Sequence, residues 1–372
     1  MRRTIPKLGG VLVALAAAGM MCACPASGAP PKNETRPKPA VPKGGILLEG
    51  AGGTLPTILY EKWFLSYETQ VPGTVITYDA VGSSEGIRRF IGKNVTPEET
   101  IDFGASDAAM RDDELERVPS GAMVLPVTAT SVALAYNLPL LSPDLRLSRE
   151  AYAGIFLGQI KNWNDARIAR ANPGVKLPNL TIATVVRQDG SGTTFAFTKH
   201  LDAINQKWRD GFGAATSVNW PGNTMRAVGN EGVAATIQHS IGSIGYVSYE
   251  FALKTGLKVA WLENREGNFV PPSETHAAAA LASADLPDDL RLYVPDPRGA
   301  DSYPIVTLTW ILLYRNYPDR RKAQALHDLF HWCLTEGQKY SATNGYIPLP
   351  PNIGARSLAA MDGVLNAQQS RN

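Results

Sequence analysis

Three short turns of glycine and hydroxyl residues, each between a β-rich run and a helical run, constrain this chain more than any other feature. They are Gly50-Ala51-Gly52-Gly53-Thr54-Leu55-Pro56, Val81-Gly82-Ser83-Ser84-Glu85-Gly86 and Arg187-Gln188-Asp189-Gly190-Ser191-Gly192-Thr193-Thr194. A strand that passes through such a turn into a helix is the repeating unit of α/β domains. Thr74–Tyr78, Ser131–Tyr136, Thr181–Val186, Ile244–Tyr249 and Ile305–Tyr314 read as strands. Arg149–Leu157, Phe195–Asn205, Gly232–His239 and Arg320–Leu334 read as helices, and Leu59, Trp63 and Tyr67 recur every four residues on one helix face. The chain's 372 residues are enough for two domains at roughly 100–200 residues each. No repeat of solenoid or propeller period is present.

The chemistry lies in the turns. Hydroxyl residues at such places can simply cap helices. Three turns of this kind, one also holding Arg187 and Asp189, suit a further use. A helix N-terminus presents N–H groups and a favourable dipole to an anion. Pro56 suits the first helical position, leaving the Thr54 hydroxyl and nearby N–H groups to face a ligand. The first turn opens like a dinucleotide fingerprint, but Leu55 stands where its third glycine belongs and no acidic residue follows a second strand. From Gly45 onward, 29 basic residues face 33 acidic ones, a net −4. That excludes general nucleic-acid binding, which needs a basic face, so an anion must be held by oriented donors. Each charge-assisted hydrogen bond contributes about 1.5–3 kcal/mol. Arg187 offers a fixed guanidinium fork, and Asp189 can orient it. Asp107 ends the apolar stretch Ile101-Asp102-Phe103-Gly104-Ala105-Ser106, where it can cap the next helix or face the site. A carboxylate beside an anion is favourable only if the anion carries a proton. Monohydrogen phosphate does; sulfate would be repelled by about 5 kcal/mol at 3 Å and an effective dielectric of 20.

The N-terminus reads as an address. Arg2, Arg3 and Lys7 precede the uncharged run Leu8–Ala23, which is short for a membrane span and suits a secretory signal over residues 1–23. The run ends in Met21-Cys22-Ala23-Cys24, so Cys24 is expected to carry a lipid, the alternative being cleavage after Gly28. Residues 24–44 form a Pro/Lys-rich tether, with six prolines between residues 25 and 44. Three cysteines are too few for a disulfide framework, and Cys333 is expected to be a buried thiol. His327 and His331 are spaced as zinc ligands can be, yet lack a third ligand and read as a helix face. His200, His239 and His276 read as surface residues, and no metal or other cofactor is expected. The seven Trp and thirteen Tyr read as core and rim packing.

These motifs together resemble the periplasmic phosphate-binding proteins of phosphate-specific ABC importers. The resemblance runs from Gly45 to about Met361. It also takes in Phe156-Leu157-Gly158-Gln159-Ile160-Lys161-Asn162-Trp163, Gly229-Asn230-Glu231-Gly232 and Ile244-Gly245-Tyr246-Val247. It implies an α/β, two-lobed periplasmic-binding-protein (type II) fold with a hinge and an interlobe cleft. Lobe I would comprise 45–127 plus 302–372, and lobe II 128–301. The resemblance further assigns phosphate contacts to the Thr54 hydroxyl, the Leu55 N–H, the Ser83 hydroxyl and Asp107 from lobe I. From lobe II it assigns Arg187, Ser191, the Gly192 N–H and Thr193, with Asp189 paired to Arg187. Leu55 departs from the commoner Phe, a change that a backbone donor survives. The implied function is phosphate capture and delivery to inner-membrane permease subunits served by ATPase subunits, by a monomer at the periplasmic or outer face of the membrane. A phosphate sensor or a receptor for another oxyanion would share these features. A phosphatase fits less well, because Gly190-Ser191-Gly192 is not a nucleophile elbow and no histidine adjoins a site motif.

Overall fold

In a computed structural model the described residues are 39–369, excepting Ser283. The expected signal segment, Cys24 and the tether as far as residue 38 lie outside them. The end of the tether, residues 39–44, is exposed.

The run Ala122–Tyr136 forms one fifteen-residue strand, buried from Met123 onward, and the molecule is organised around it. Among the described residues twelve strands follow in order: β1 (Ile46–Gly52), β2 (Thr74–Ala80), β3 (Phe103–Ser106), β4 (Ala122–Tyr136), β5 (Arg146–Leu147), β6 (Ala183–Arg187), β7 (Thr224–Ala227), β8 (Ser243–Ser248), β9 (Lys258–Val259), β10 (Trp261–Glu263), β11 (Phe269–Val270) and β12 (Val306–Tyr314). The large sheet runs β2-β1-β3-β12-β4-β8-β6-β7, with β9 also paired to β4; β11-β10-β5 form a separate small sheet. The first part of β4 pairs antiparallel with β12 up to Ser131, and the second, from Val132, pairs antiparallel with β8. One strand therefore serves two α/β halves.

The halves have the same plan. In the first, β1 lies between β2 and β3, all parallel, and β3 adjoins antiparallel β12. In the second, β6 lies between β7 and β8, again parallel, and β8 adjoins antiparallel β4. Parallel strands need crossover connections, and the helical runs between them supply these. The register of β12 on β4 slips between Thr309 and Trp310, which face Thr128 and Pro126, so Val127 is the extra residue of a bulge. Pro126 has no N–H to give to a ladder, which makes this a natural place for the irregularity. Leu59, Trp63 and Tyr67 do share the buried face of the Thr57–Gln70 helix. Pro56 takes the position just before that helix, not its first residue.

The aromatic residues pack as expected: Trp63, Trp163, Trp208 and Trp310 are fully buried, and Cys333 is a buried free thiol. Burial pushes that thiol well above its ordinary range. His200 departs from expectation. It is fully buried, with Nε2 2.8 Å from the Tyr152 hydroxyl and Nδ1 2.6 Å from the Pro295 carbonyl. Partners on both ring nitrogens make such burial affordable, and burial lowers its pKa to about 4. His239 is exposed and His276 half-buried. His327 bonds Asp362 at 2.7 Å on the Arg320–Leu334 helix, and among the described residues no cluster suits a metal ion.

Candidate oxyanion site

In open α/β sheets, ligands gather beyond the carboxyl ends of parallel strands, and six such ends converge here. Thr54 follows β1, Ser83 follows β2 and Asp107 follows β3; Ser191–Thr193 follow β6, Asn230 follows β7 and Glu250 follows β8. Three of these turns run into the helices Ser83–Ile91, Gly192–Ile204 and Gly229–His239. The last two helices begin three residues earlier than the apolar pattern predicts (Phe195 and Gly232). Their opening glycines read as turn, whereas Ser191 Oγ accepts the Thr194 N–H at 3.1 Å and starts the helix at once. The Gly192 N–H thus belongs to a helical first turn, whose N–H groups lack intrahelical partners.

The structure brings the predicted residues together from both halves. Asn230 Nδ2 donates to Thr54 Oγ1 at 3.0 Å and to Thr193 Oγ1 at 3.3 Å. Ser84 N donates to the Gly190 carbonyl at 3.1 Å, and Ser84 Oγ donates to Thr216 Oγ1 at 3.1 Å. Gly192 lies against Asp107 and Ser83. A Cβ there would stand 2.5 Å from Asp107 Cβ and 2.6 Å from Ser83 Oγ, so only glycine permits the approach. Leu55 is buried, and its carbonyl accepts from the Tyr346 hydroxyl at 2.7 Å, which fixes the first turn from behind.

Asp107 faces the site and does not cap a helix. It is 1% exposed, and Thr309 Oγ1 donates to its Oδ1 at 2.7 Å. Its other oxygen, Oδ2, accepts only a long bond from Ser83 Oγ at 3.5 Å, which leaves it the weaker-served of the two. Burial raises its pKa to about 6, against the lowering effects of the Thr309 bond, the Arg187 charge and Ser83. At neutral pH it is therefore mainly an ionised acceptor with one oxygen open to a proton.

Arg187 is equally enclosed, its side chain 1% exposed. Nε donates to Asp189 Oδ1 at 2.8 Å, and Nη2 makes a second, shorter contact with Oδ2. Asp189 Oδ1 also accepts the Gly229 N–H at 3.1 Å. Burial alone would raise the Asp189 carboxyl, but the Arg187 fork and charge and the Gly229 N–H hold it below its ordinary value. The Arg187 backbone is fixed by the Tyr246 hydroxyl, which accepts its N–H at 3.0 Å and lies 2.8 Å from Thr194 Oγ1. Tyr246 in turn packs on Phe156, Phe197 and Trp220, so the cation rests on a rigid aromatic cluster.

The hydroxyls are held alike. Thr54 Oγ1 accepts from Asn230, Ser83 Oγ accepts the Asp107 N–H at 3.1 Å, Ser191 Oγ accepts from Thr194 and Thr193 Oγ1 accepts from Asn230. A hydroxyl whose lone pair already takes a protein N–H has its own hydrogen to give. Four such donors, one guanidinium and one carboxylate suit a tetrahedral oxyanion that keeps one proton.

Sequence reasoning missed Asn230, Thr309, Tyr246 and Thr216. Asn230 and Tyr246 lie within the motifs Gly229-Asn230-Glu231-Gly232 and Ile244-Gly245-Tyr246-Val247, a signal that they are used, though not how. Thr309 reads as an ordinary β residue until β12 is set beside β3, and Thr216 carries no motif at all.

Comparison with known proteins agrees with this picture. The profile of the PBP superfamily domain matches residues 27–334. The chain is 37% identical over 324 residues to the phosphate-binding protein PstS of Xylella fastidiosa (strain Temecula1), covering 86% of each chain. It is 32% identical over 355 residues to the phosphate-binding protein PstS of Methanocaldococcus jannaschii, covering 89% of this chain and 88% of that one. Among solved structures it resembles the periplasmic phosphate-binding protein PfluDING bound with phosphate, with a TM-score of 0.71 and 23% identity over 84% of this chain and 93% of the other. That likeness bears on fold, and the fold is the two-lobed one of periplasmic binding proteins. The chain belongs to the PstS phosphate-binding protein family of the PBP superfamily.

Proposed function

We propose that the protein binds inorganic phosphate between its two halves and delivers it to a phosphate ABC importer. One observation carries this reading: donors from both halves and the open oxygen of Asp107 converge on one place that neither half could enclose alone. Thr54, the Leu55 N–H, Ser83 and Asp107 act from one side. Arg187, Ser191, the Gly192 N–H and Thr193 act from the other, with Asp189 orienting Arg187. The O–H of HPO4 donates a hydrogen bond to Asp107, and its other oxygens receive hydrogen bonds. No bond is made or broken in the ligand.

Lobe I is taken as 45–127 plus 302–372 and lobe II as 128–301. The β4 bulge at Val127 supports a bending point there, because a break in ladder pairing is the easiest place for a long strand to flex. Ligand contacts from both lobes favour closure, and docking on the permease subunits would reopen the cleft. The protein acts as a monomer outside the cytoplasm, held near the membrane through Cys24 and the tether. No helix among the described residues is long and apolar enough to cross a membrane.

Calorimetric titration of the processed protein with phosphate and with sulfate tests the reading. Tight phosphate binding with sulfate at least a hundred-fold weaker at pH 8 is the expected result. Comparable affinities would remove the proposed role of Asp107.

A further inference from the structure

Asn230 belongs to the Gly229-Asn230-Glu231-Gly232 motif but makes no proposed ligand contact. It is fully buried at the start of the Gly229–His239 helix. Its amide has only one possible orientation: Oδ1 accepts the Ser248 N–H at 3.1 Å, and a backbone N–H can only donate. The NH2 end therefore faces the two threonine hydroxyls, Thr54 and Thr193, one from each half. The Asn230 N–H adds a second bond to Thr54 Oγ1 at 3.3 Å. Gly229 makes this possible with a φ of +68°, turning its own N–H to Asp189 and the next one to Thr54.

A hydroxyl has two lone pairs and one hydrogen. Thr54 Oγ1 takes two N–H bonds from Asn230, so its hydrogen must go to some other acceptor. Thr193 Oγ1 takes one and is biased the same way. We infer that Asn230 is a positioning residue that forces the Thr54 and Thr193 hydroxyls to act as donors toward the bound anion and ties the two halves together when closed. This rests on the phosphate reading above and adds a cause for its donor arrangement. A carboxylate of the same shape would do the reverse, accepting from both hydroxyls and turning their hydrogens away from the anion.

The test is phosphate calorimetry on the processed wild type, Asn230→Asp and Asn230→Ala, at pH 8 and at pH 5.5, with folding checked by thermal melts. Asn230→Asp is expected to weaken phosphate binding at pH 8 by a hundred-fold or more, and Asn230→Ala by about ten-fold. The deficit of Asn230→Asp relative to wild type should shrink at pH 5.5, because burial raises a carboxyl at this fully buried position, as it raises Asp107, and brings its protonation into that range, while that of Asn230→Ala stays constant. Asp107, Asp189 and Arg187 are common to all three proteins and cancel in these ratios. A merely structural role predicts the opposite order, because the isosteric Asp preserves packing better than Ala. Asn230→Asp as mild as Asn230→Ala, or a deficit independent of pH, overturns the inference. If Asn230→Asp does not fold, an Asn230→Ala protein with wild-type affinity overturns it alone. Failure of the wild type to bind phosphate would instead overturn the functional reading.

Discussion

The two halves offer the same three strand ends and fill them differently. At the middle strands, Thr54 and Leu55 stand opposite Arg187 and Ser191–Thr193; at the outer strands, Ser83 stands opposite Asn230. At the inner strands, Asp107 follows β3 and Glu250 follows β8. Each of these carboxyls is buried, and each takes a hydrogen bond from a threonine on the adjoining long strand. Thr309 on β12 serves Asp107 at 2.7 Å, and Thr130 on β4 serves Glu250 at 2.8 Å. Burial raises both, Asp107 to about 6 and Glu250 to about 8, the latter against the lowering effects of its own backbone, Ser248, Thr130 and Tyr346. The Arg187 charge also lowers Asp107, after the Thr309 bond, and no cation among the described residues acts on Glu250 in the same way. A duplicated plan thus yields one carboxyl that is ionised at neutral pH and one that keeps its proton. The first can accept a hydrogen bond from a ligand; the second is a buried group bonded to Thr130.

The largest expected effect comes from removing the cation. Arg187→Ala takes a buried guanidinium donor away from the ligand, and losing one partner of a buried charge contact costs binding about 2–5 kcal/mol. Phosphate affinity should fall roughly a thousand-fold on the scale of 1.4 kcal/mol per ten-fold, with circular dichroism of the folded protein unchanged. Affinity within about ten-fold of wild type would mean that the turn after β6 only caps its helix. Next is Asp107→Asn. Its amide can donate where the carboxylate could only accept, so sulfate should gain and phosphate lose. The preference for phosphate should shrink by about a hundred-fold, roughly one charge-assisted hydrogen bond lost and one gained. Equal preference in variant and wild type, measured by competitive titration, would dissociate Asp107 from selectivity.

Much of this comparison could be read from residue order, and some could not. The turns around Thr54, Ser83 and Ser191 announce themselves by glycine beside hydroxyl, and Asp107 by a charge closing an apolar stretch. Arg187 and Asp189 lie two residues apart, so their pairing is local. The bonds of Asn230 reach across 176 residues to Thr54 and 37 to Thr193, and the bond of Thr309 reaches across 202 to Asp107. No local pattern encodes such distances; only strand order does. His200 reads as a surface residue for the same reason, its partners Tyr152 and Pro295 lying 48 and 95 residues away. The halves' shared plan is likewise invisible in residue identity, since Asp107 and Glu250 sit in unrelated local sequences.

A smaller effect should appear in wild type on acidification. With its pKa at about 6, Asp107 is mostly protonated by pH 5 and then offers an O–H to an anion. Sulfate affinity should rise about ten-fold between pH 8 and pH 5, and Asp107→Asn should lack that rise. A flat sulfate profile in wild type would show that the ligand-free carboxyl titrates elsewhere.

The smallest effect should belong to Glu250, and its sign separates it from the ligand site. Its folded pKa of about 8 exceeds the ordinary 4.5, so between those values the folded state keeps a proton that the unfolded chain releases. The stability this gives is fully present below about pH 4.5 and is lost as pH rises to 8. Glu250→Gln cannot ionise, so its melting temperature relative to wild type should climb over that window. A few kcal/mol in a chain of this size corresponds to roughly 5 °C. Phosphate affinity and the preference over sulfate should not change, because the carboxyl bonds Thr130 on β4 and none of the proposed contacts. If the variant instead altered selectivity, the two inner strand ends would be equivalent in use as well as in plan, and the division of labour between Asp107 and Glu250 would fail.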